Sequence, residues 1–505
     1  MADETGNGAP RPVTYKGRRR IYSEYPQVTA DNVAQVISDS MAAFGANRAQ
    51  ESYLWSYYRG RQPILDRVKD VRPEINNRIV ENHAKETVDF KVGYQLAEPV
   101  QYVSRTGENE DEKSEQIKTL NTLMYADGKP EKDHDLFEWM CVCGVGYRLV
   151  TANQDAEAGD APFRLYTLDP RQTFVVLSSE FHHRPLAAVW VAVAPVSHDE
   201  TFNVYTPDAY YRVEGGRVID QAPNALGGIP IVEYELNSSR QGVFEPALPI
   251  LDAINAVASN RMDSIEQTVQ SLMKFVNCDI DRETFAAMLE LGAVKVRSVD
   301  GLQGDVDFIT NDLDQTQTQV TKDDLYQALA NIVGMPNTNG TSGSSSDTGT
   351  AVLLRDGWTL AESHAKGYEL KWKAAEREVL RVVLRICSVS DEPVDLTLRD
   401  IEMAFNRRNY ENALVKSQVL TTMLSNDRID PELAFQHSGL FTDPEAAYLQ
   451  SKRHYEAVQA ENQRKAELIA AGGAQGAGDG RNAYNDDMAE EAQRRNAVRR
   501  SVAES

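Results

Sequence analysis

Cysteine is scarce in this chain, long apolar runs are missing, and positive charge is in deficit. The four cysteines, Cys141, Cys143, Cys278 and Cys387, form no CxxC pair. Cys141 and Cys143 are spaced like one face of a strand, and no nearby histidine completes a zinc set. They read as buried free thiols in a reducing compartment, not as a metal site. The longest apolar run, Leu186 to Val196, falls far short of the roughly 20 residues that span a membrane and reads as a buried strand. The N-terminus carries no apolar signal region, so the expectation is a chain not secreted by that route. Lys and Arg number 53 against 76 Asp and Glu, a net charge of −23. Nonspecific nucleic-acid binders need Lys and Arg to displace counterions, and this balance speaks against that class. DNA passing nearby without sticking is still allowed, because screening over about 8 Å leaves only locally facing charges to act.

The usual chemical signatures are missing too. There is no GxxxxGK[ST] phosphate loop, no HExxH and no GxSxG. Gly144 and Gly146 make a GxG without its third glycine, for which strand–turn packing is the simpler use. His182 and His183 are adjacent, and neighbours on a strand point to opposite faces, poor geometry for one metal. Asp305, Asp307, Asp312 and Asp314 lack the glycine and terminal glutamate of a Ca²⁺ loop, and read as an acidic wall or solvated face. No cofactor, metal or catalytic residue is expected, and an enzyme ranks third among the readings.

What is present is long-range organisation. At 41% hydrophobic over 505 residues, the chain can bury a real core and holds two to four domains. Residues 1–29 read as a disordered arm with a basic end, GRRR. From Ala30 to Tyr125 the pattern is mostly helical. From Gly146 to Leu236 it turns to strands, with a hairpin signal at Gly215-Gly216. A helix then begins near Pro249 with apolar positions Leu251, Ile254, Ala258, Met262, Ile265, Val269 and Leu272. Asp252, Asn255, Ser259, Asp263 and Glu266 fall on its other faces. The expected length is roughly 28 residues, or roughly 42 Å. The insert from Cys278 to Asn311 reads as a short helix plus strands AVKVRSV and DVDFIT. Such a unit is marginal alone, so it is expected to complete its core with a neighbouring subunit. Helical pattern returns over Gln315–Val333, predicting an antiparallel pair with the insert at its tip. The longest stripe runs Leu354, Trp358, Ala361, Ala365, Tyr368, Trp372, Ala375, Val379, Val382, Ile386, a helix of roughly 57 Å ending at Cys387. VDLTLRD near Val394 reads as a return strand. Asp430-Pro431-Glu432 and Asp443-Pro444-Glu445 read as helix starts. A last helix runs to about Ala471, and a disordered tail follows.

Between the second helix of the pair and the longest helix lies GMPNTNGTSGSSSDTGT, Gly334 to Thr350, with a single charge, Asp347. By itself the stretch reads as a Gly/Ser linker. Its two helical neighbours offer the alternative: a neutral loop that something slides past.

Three stretches resemble the tailed-bacteriophage portal family, the head–tail connectors of long-tailed phages. The first is YYRGRQPILDR at Tyr57 with INNRIVENHAKETVDFKVGYQLAEPVQY at Ile75. The second runs from Gly227 to Glu266 and carries the family's DAxNxxxSxxxDxIE pattern at Asp252, Asn255, Ser259, Asp263 and Glu266. The third is the helix–loop–long-helix unit Asp324 to Cys387, with FNRRNYEN after it as a strand at Phe405. The match covers about residues 50–460. Glu98 replaces the usual small residue before Pro99. The loop has Gly-Thr-Ser-Gly-Ser-Ser-Ser where the family often carries Phe-Ser-Gly-Asn, so contacts of the family's aromatic loop residue are not carried over.

The resemblance implies an α+β portal-type subunit in a ring of about twelve around a DNA channel. Residues 30–245 with 390–405 would be the wing, 246–277 and 313–333 the stem, and 278–312 the clip. Residues 334–350 would be the tunnel loop, 351–389 the helix from channel to wing, 406–471 the crown, and 472–505 a disordered tail. Asn337, Thr338, Asn339, Thr341, Ser342, Ser344, Ser345, Ser346 and Asp347 would face DNA. Lys295, Arg297, Asp305 and Asp307 would meet the motor or adaptor, a plain solvated strand face being the alternative. The implied partners are further copies of the chain, the major capsid protein, a scaffolding protein, the terminase large subunit, a head–tail adaptor and translocating double-stranded DNA, with no membrane. The implied place is the portal vertex of the virion, after assembly in the host cytoplasm, with a part in starting the procapsid. A non-channel adaptor or helical scaffold is the competing reading. It explains the helices but not the insert between them.

Overall fold

The computed structural model describes residues 17–105, 110–157, 159–269, 272–276, 283, 305–309, 315–336, 357–390, 394–407, 413–426, 428–441 and 444–472. The chain divides into two compact units, 1–412 and 413–505.

In the first unit, helix α1 (Val33–Tyr58) lies on a six-stranded sheet. Its strands are β1 (Ile21–Ser23), β5 (Thr173–Ser178), β6 (Pro185–Val193), β7 (Glu200–Tyr205), β8 (Ala209–Glu214) and β9 (Arg217–Pro223), in that spatial order. The apolar run at Leu186 becomes β6. Ala187, Val189 and Val191 pack toward α1, while Ala188 and Trp190 pack toward a second sheet. A strand covered on both faces has no reason to alternate polar residues, which is why the run is continuous. The second sheet is β10 (Ile231–Glu235), β3 (Val145–Ala152) and β4 (Phe163–Leu168). Its far side meets α4 (Lys129–Cys143) and the long helix α7 (Trp358–Cys387) in the largest core, with helices α2 (His83–Gln95) and α3 (Glu110–Ala126). Of the long stripe, Ala361, Ala365, Trp372, Val379, Val382 and Ile386 are buried.

Cys141 and Cys143 sit in the last turn of α4, not on a strand face, and both are buried free thiols. Gly144 ends that helix at φ 80°, where a Cβ would stand 2.4 Å from the Arg240 carbonyl oxygen. A side chain is excluded there twice, by φ and by space. Gly146 packs under Leu136 and Met140. The GxG is therefore a packing device at a helix–strand turn.

The helix pair expected on either side of the insert is α5 (Leu248–Val269) and α6 (Gln315–Val333). Arg261, late in α5, donates to Gln319, early in α6, at 2.8 Å, and the apolar C-terminal end of α6 packs in the same core as Leu248 and Leu251. The pair is antiparallel.

Four expectations are corrected. Helix α5 stops at Val269, short of the expected 277, and Leu272–Val276 is strand β11, paired antiparallel with β12 (Asp305–Ile309). Leu-Met-Lys-Phe-Val fits both periods, and the ladder with β12 decides between them. AVKVRSV lies outside the described residues. The arm expected to be disordered to residue 29 is ordered from Gly17. Arg18, fully buried, meets Glu245 at 2.6 Å and donates to the Cys143 carbonyl at 3.3 Å, and β1 then adds parallel to β5. The return strand is not VDLTLRD, and of the segment at Phe405 only residues 405–407 are described, outside any strand. The return strand is β13 (Ile401–Ala404), between the two, paired with β2 (Gln101–Ser104). The backbone N–H and hydroxyl of Thr397 both donate to Asp400, forming a turn that breaks the extended run. Finally, His182 and His183 lie in the turn between β5 and β6, with His183 at φ 45°, and not along a strand.

In the second unit, α8 (Ala413–Leu424), α9 (Pro431–Ser438) and α10 (Pro444–Gly472) pack in sequence. Asp430 caps α9 by accepting from the Glu432 N–H at 2.9 Å, and Gly439 ends it at φ 61°. Phe435 stacks on Phe441 and touches Tyr448. The tail after 472 lies outside the described residues.

Candidate functional site

The polar residues of α5 form a second stripe, at spacing 3, 4, 4, 3, beside the apolar one. Asp252 accepts from the Tyr57 hydroxyl at 2.8 Å. The next three hold one extended segment. Asn255 accepts from the Glu81 N–H at 2.8 Å, Ser259 from Ile79 at 3.0 Å, and Asp263 from Asn77 at 2.7 Å. Every second backbone N–H of the segment meets every fourth residue of the helix. The match is metric: two extended residues advance about 6.7 Å and four helical residues about 6 Å. The segment therefore runs antiparallel along α5 with each donor satisfied. Asp263 also accepts from the Asn77 side chain at 3.0 Å and from Lys69 at 3.0 Å, and meets Arg67 at 3.2 Å. Burial pushes its carboxyl up, but these donors outweigh burial and hold it below the ordinary range. Asn255, Ser259 and Asp263 are buried, and Glu266, a turn further on, is half-buried. The polar stripe is a clasp between α5 and the segment that joins α1 to α2.

The second construction lies where α6 ends and α7 begins. Gly334 stops α6 at φ 66°, with Met335 N–H donating back to the Ala330 carbonyl at 2.9 Å. The buried ammonium of Lys91, on α2, donates to the Gly334 carbonyl at 2.8 Å. The His364 ring covers Gly334 so closely that a Cβ there would stand 2.6 Å from its Nδ1. Gly357 opens α7 at φ 84°, and a Cβ on it would lie 3.7 Å from the Met335 oxygen and from the Pro336 Cα. The chain leaving at Pro336 and the chain returning at Gly357 thus touch. Trp358 packs with Phe90 and Tyr94 of α2, and Tyr94 donates to Glu362 at 2.9 Å. Arg407 binds Glu362 through two nitrogens, at 2.9 and 2.8 Å, and also Glu369. The anchor brackets residues 337–356, which lie outside the described residues.

Burial pushes the Lys91 ammonium down to about 8, against an opposing pull from Cys141. Its folded value lies below the ordinary 10.5. Its contribution to stability is therefore full above 10.5 and lost as pH falls through about 8. Between those values wild type should gain on Lys91→Met by up to about 1.4 kcal/mol per pH unit in denaturant melts. Parallel curves for the two proteins would contradict a buried, charged Lys91.

The family model "Phage portal protein, SPP1 Gp6-like" matches residues 47–467. The chain belongs to this portal family. Among solved structures, "Neck of empty GTA particle computed with C6 symmetry" is similar at 13% identity and a TM-score of 0.42, over 71% of this chain and 90% of that one. No curated protein matches.

In this portal chain, the two constructions correspond to family motifs. The DAxNxxxSxxxDxIE pattern supplies the clasp, and the helix–loop–long-helix unit supplies the anchor. The residues expected on the tunnel loop, Asn337 to Asp347, lie outside the described residues, as do Lys295 and Arg297. Asp305 and Asp307 lie on β12, opposite Val276 and Lys274 of β11. Among the described residues, no group of three or more His, Cys, Asp or Glu is placed to hold a metal ion, and no helix is long and apolar enough to cross a membrane.

Sequence reasoning missed the buried ionic network that fixes α7 to α4 and to strands of two sheets. Glu376 of α7 meets Lys129 of α4 at 3.2 Å and Arg148 of β3 at 3.7 Å. Asp133 meets Lys129 at 2.5 Å and Arg148 at 2.7 Å. Tyr102 of β2 donates to Glu376 at 2.6 Å, and Tyr234 of β10 donates to its other oxygen. Burial opposes ionisation of Glu376, but Lys129, Arg148 and the two phenols outweigh it and hold the carboxyl below its usual range. A signal existed: Glu376 falls between Trp372 and Val379 on an apolar stripe, and Arg148 interrupts the buried strand β3.

Proposed function

We propose that this portal chain assembles into a ring, of about twelve subunits as the family resemblance implies, whose channel passes double-stranded DNA during packaging and ejection. In this reading α5 and α6 are the stem, and β11–β12 belong to the clip that docks the terminase and later a head–tail adaptor. The ring sits at the capsid vertex and initiates procapsid assembly with scaffolding and major capsid protein. It needs no catalytic residue of its own.

The observation that carries the reading is the loop anchor. Residues 337–356 contain most of the loop expected at 334–350, with its single charge, Asp347, and the chain on either side of them, Pro336 and Gly357, meets at one point between α6 and α7. Duplex DNA carries a charge about every 1.7 Å, and a lining of cations would act as a brake, whereas uncharged polar side chains give weak, exchangeable contacts. Supporting the ring, Met262 and Ile265 at the outer end of the α5 stripe stay 41% and 40% exposed in the single subunit.

Replacing Ser344, Ser345 and Ser346 by lysine is expected to leave assembly intact and to slow packaging by at least tenfold, with a new dependence on salt. Unchanged packaging and ejection would place the loop away from the DNA.

A further inference from the structure

The segment joining α1 to α2 contains a basic island in an acidic chain. Arg59, Arg61, Arg67, Lys69, Arg72 and Arg78 stand against Asp66, Asp70, Glu74 and Glu81, a local excess of +2 within a net −23. Arg67 and Lys69 turn inward to Asp263. Val68 and Val71, interleaved with them, are 82% and 77% exposed. The two exposed β-branched side chains stand beside half-buried Arg72, while Arg61 pairs with Asp66 and Arg78 donates to the Leu65 carbonyl.

A surface of complementary character lies on α6. Leu329, Ala330 and Val333 face the core, and the opposite face carries Val320, Asp324, Gln327 and Asn331 at i, i+4, i+7 and i+11, all exposed, with Asp323 beside them. Val320 is 54% exposed. The strap grips α5 through Asn255, Ser259 and Asp263, whereas α6 packs near its apolar stripe. At 100° per residue those two stripes are about 100° apart, so the basic strap and the acidic α6 face lie on different flanks of one stem.

We infer that these flanks are the two halves of one head-to-tail contact: the strap of one subunit, Val68 and Val71 with its arginines, docks on Val320, Asp323 and Asp324 of the next copy. A heterologous interface needs two different, complementary patches on each chain, and a closing rotation makes it a ring. Charge complementarity sets the register and the apolar residues exclude water between the flanks. The inference rests on the ring reading above.

The test uses full-length protein and two repulsive variants. Val68→Glu with Val71→Glu spoils only the strap; Val320→Lys with Asp324→Lys spoils only α6. All four positions are exposed, so thermal melts like those of wild type are expected. Each variant alone should stay near the 56.3 kDa subunit mass and form no ring. Mixed in equal amounts they retain one intact strap and one intact α6 face, and the altered faces, Glu against Lys, are opposite in charge, so the mixture should recover assembly, at least to a heterodimer of twice that mass. Ring closure by either variant alone, or a mixture that stays monomeric, would overturn the inference while leaving the ring of the wild type untouched. A wild type that forms no ring would remove the reading beneath it.

Discussion

Replacing Glu376 by alanine is expected to destabilise the first unit by about 3–5 kcal/mol, the cost of leaving a buried charge without its partner. Lys129 and Arg148 would then share only Asp133, with side chains no more than 3% exposed, and the phenols of Tyr102 and Tyr234 would lose their acceptor. The size of the loss does not mean that the intact network stabilises by that amount, because desolvation offsets most of the attraction. The distinction is measurable. Lys129→Met together with Glu376→Met removes one charge of each sign and leaves the Arg148–Asp133 pair whole. That double variant should recover much of the loss, a coupling well beyond the few tenths of a kcal/mol seen for independent sites. Because the carboxyl is held below its ordinary 4.5, its contribution is complete above that pH and is lost as pH falls through the folded value. Denaturant midpoints for wild type, Lys129→Met, Glu376→Met and the double variant, with Glu376→Ala beside them, check all of this. Additive losses would mean that the groups do not act together.

Asp263→Ala should have the next largest effect, about 3 kcal/mol, since it removes the acceptor of two Asn77 donors and the counter-charge of Lys69 and Arg67 at once. Hydrogen exchange gives the sharper readout. The amides of Asn77, Ile79 and Glu81 lie on one metric match, so releasing the first should speed exchange at all three. Ser259→Ala, which frees one neutral bond, should cost only about 1 kcal/mol. The carboxylate is depressed, so the clasp is at full strength above pH 3.8 and weakens as pH falls through the lower folded value. Exchange unchanged at Ile79 and Glu81 would mean that the strap is held elsewhere.

The stripes were legible. Trp372, Val379 and Ile386 recur at helical spacing, and Leu186 to Val193 reads as a strand covered on both faces. So were the two helices that flank the expected loop, because both are strongly patterned. The clasp was half legible. Asp252, Asn255, Ser259 and Asp263 are visible as a second stripe, but the last three hold backbone N–H groups, which leave no mark in a sequence. The network around Glu376 was hidden for another reason: its six residues come from five elements, and Tyr102 and Glu376 lie 274 positions apart. A charge on an apolar stripe announces that a partner exists without naming it. The end of α5 was misplaced because Leu272–Val276 suits helix and strand equally, and only β12 decides.

The native mass of the full-length protein tests the central claim most directly. The account expects a closed ring near twelve times 56.3 kDa, about 676 kDa, with a central hole in negative stain. A protein that remains a monomer or dimer at every concentration and ionic strength tried would contradict it.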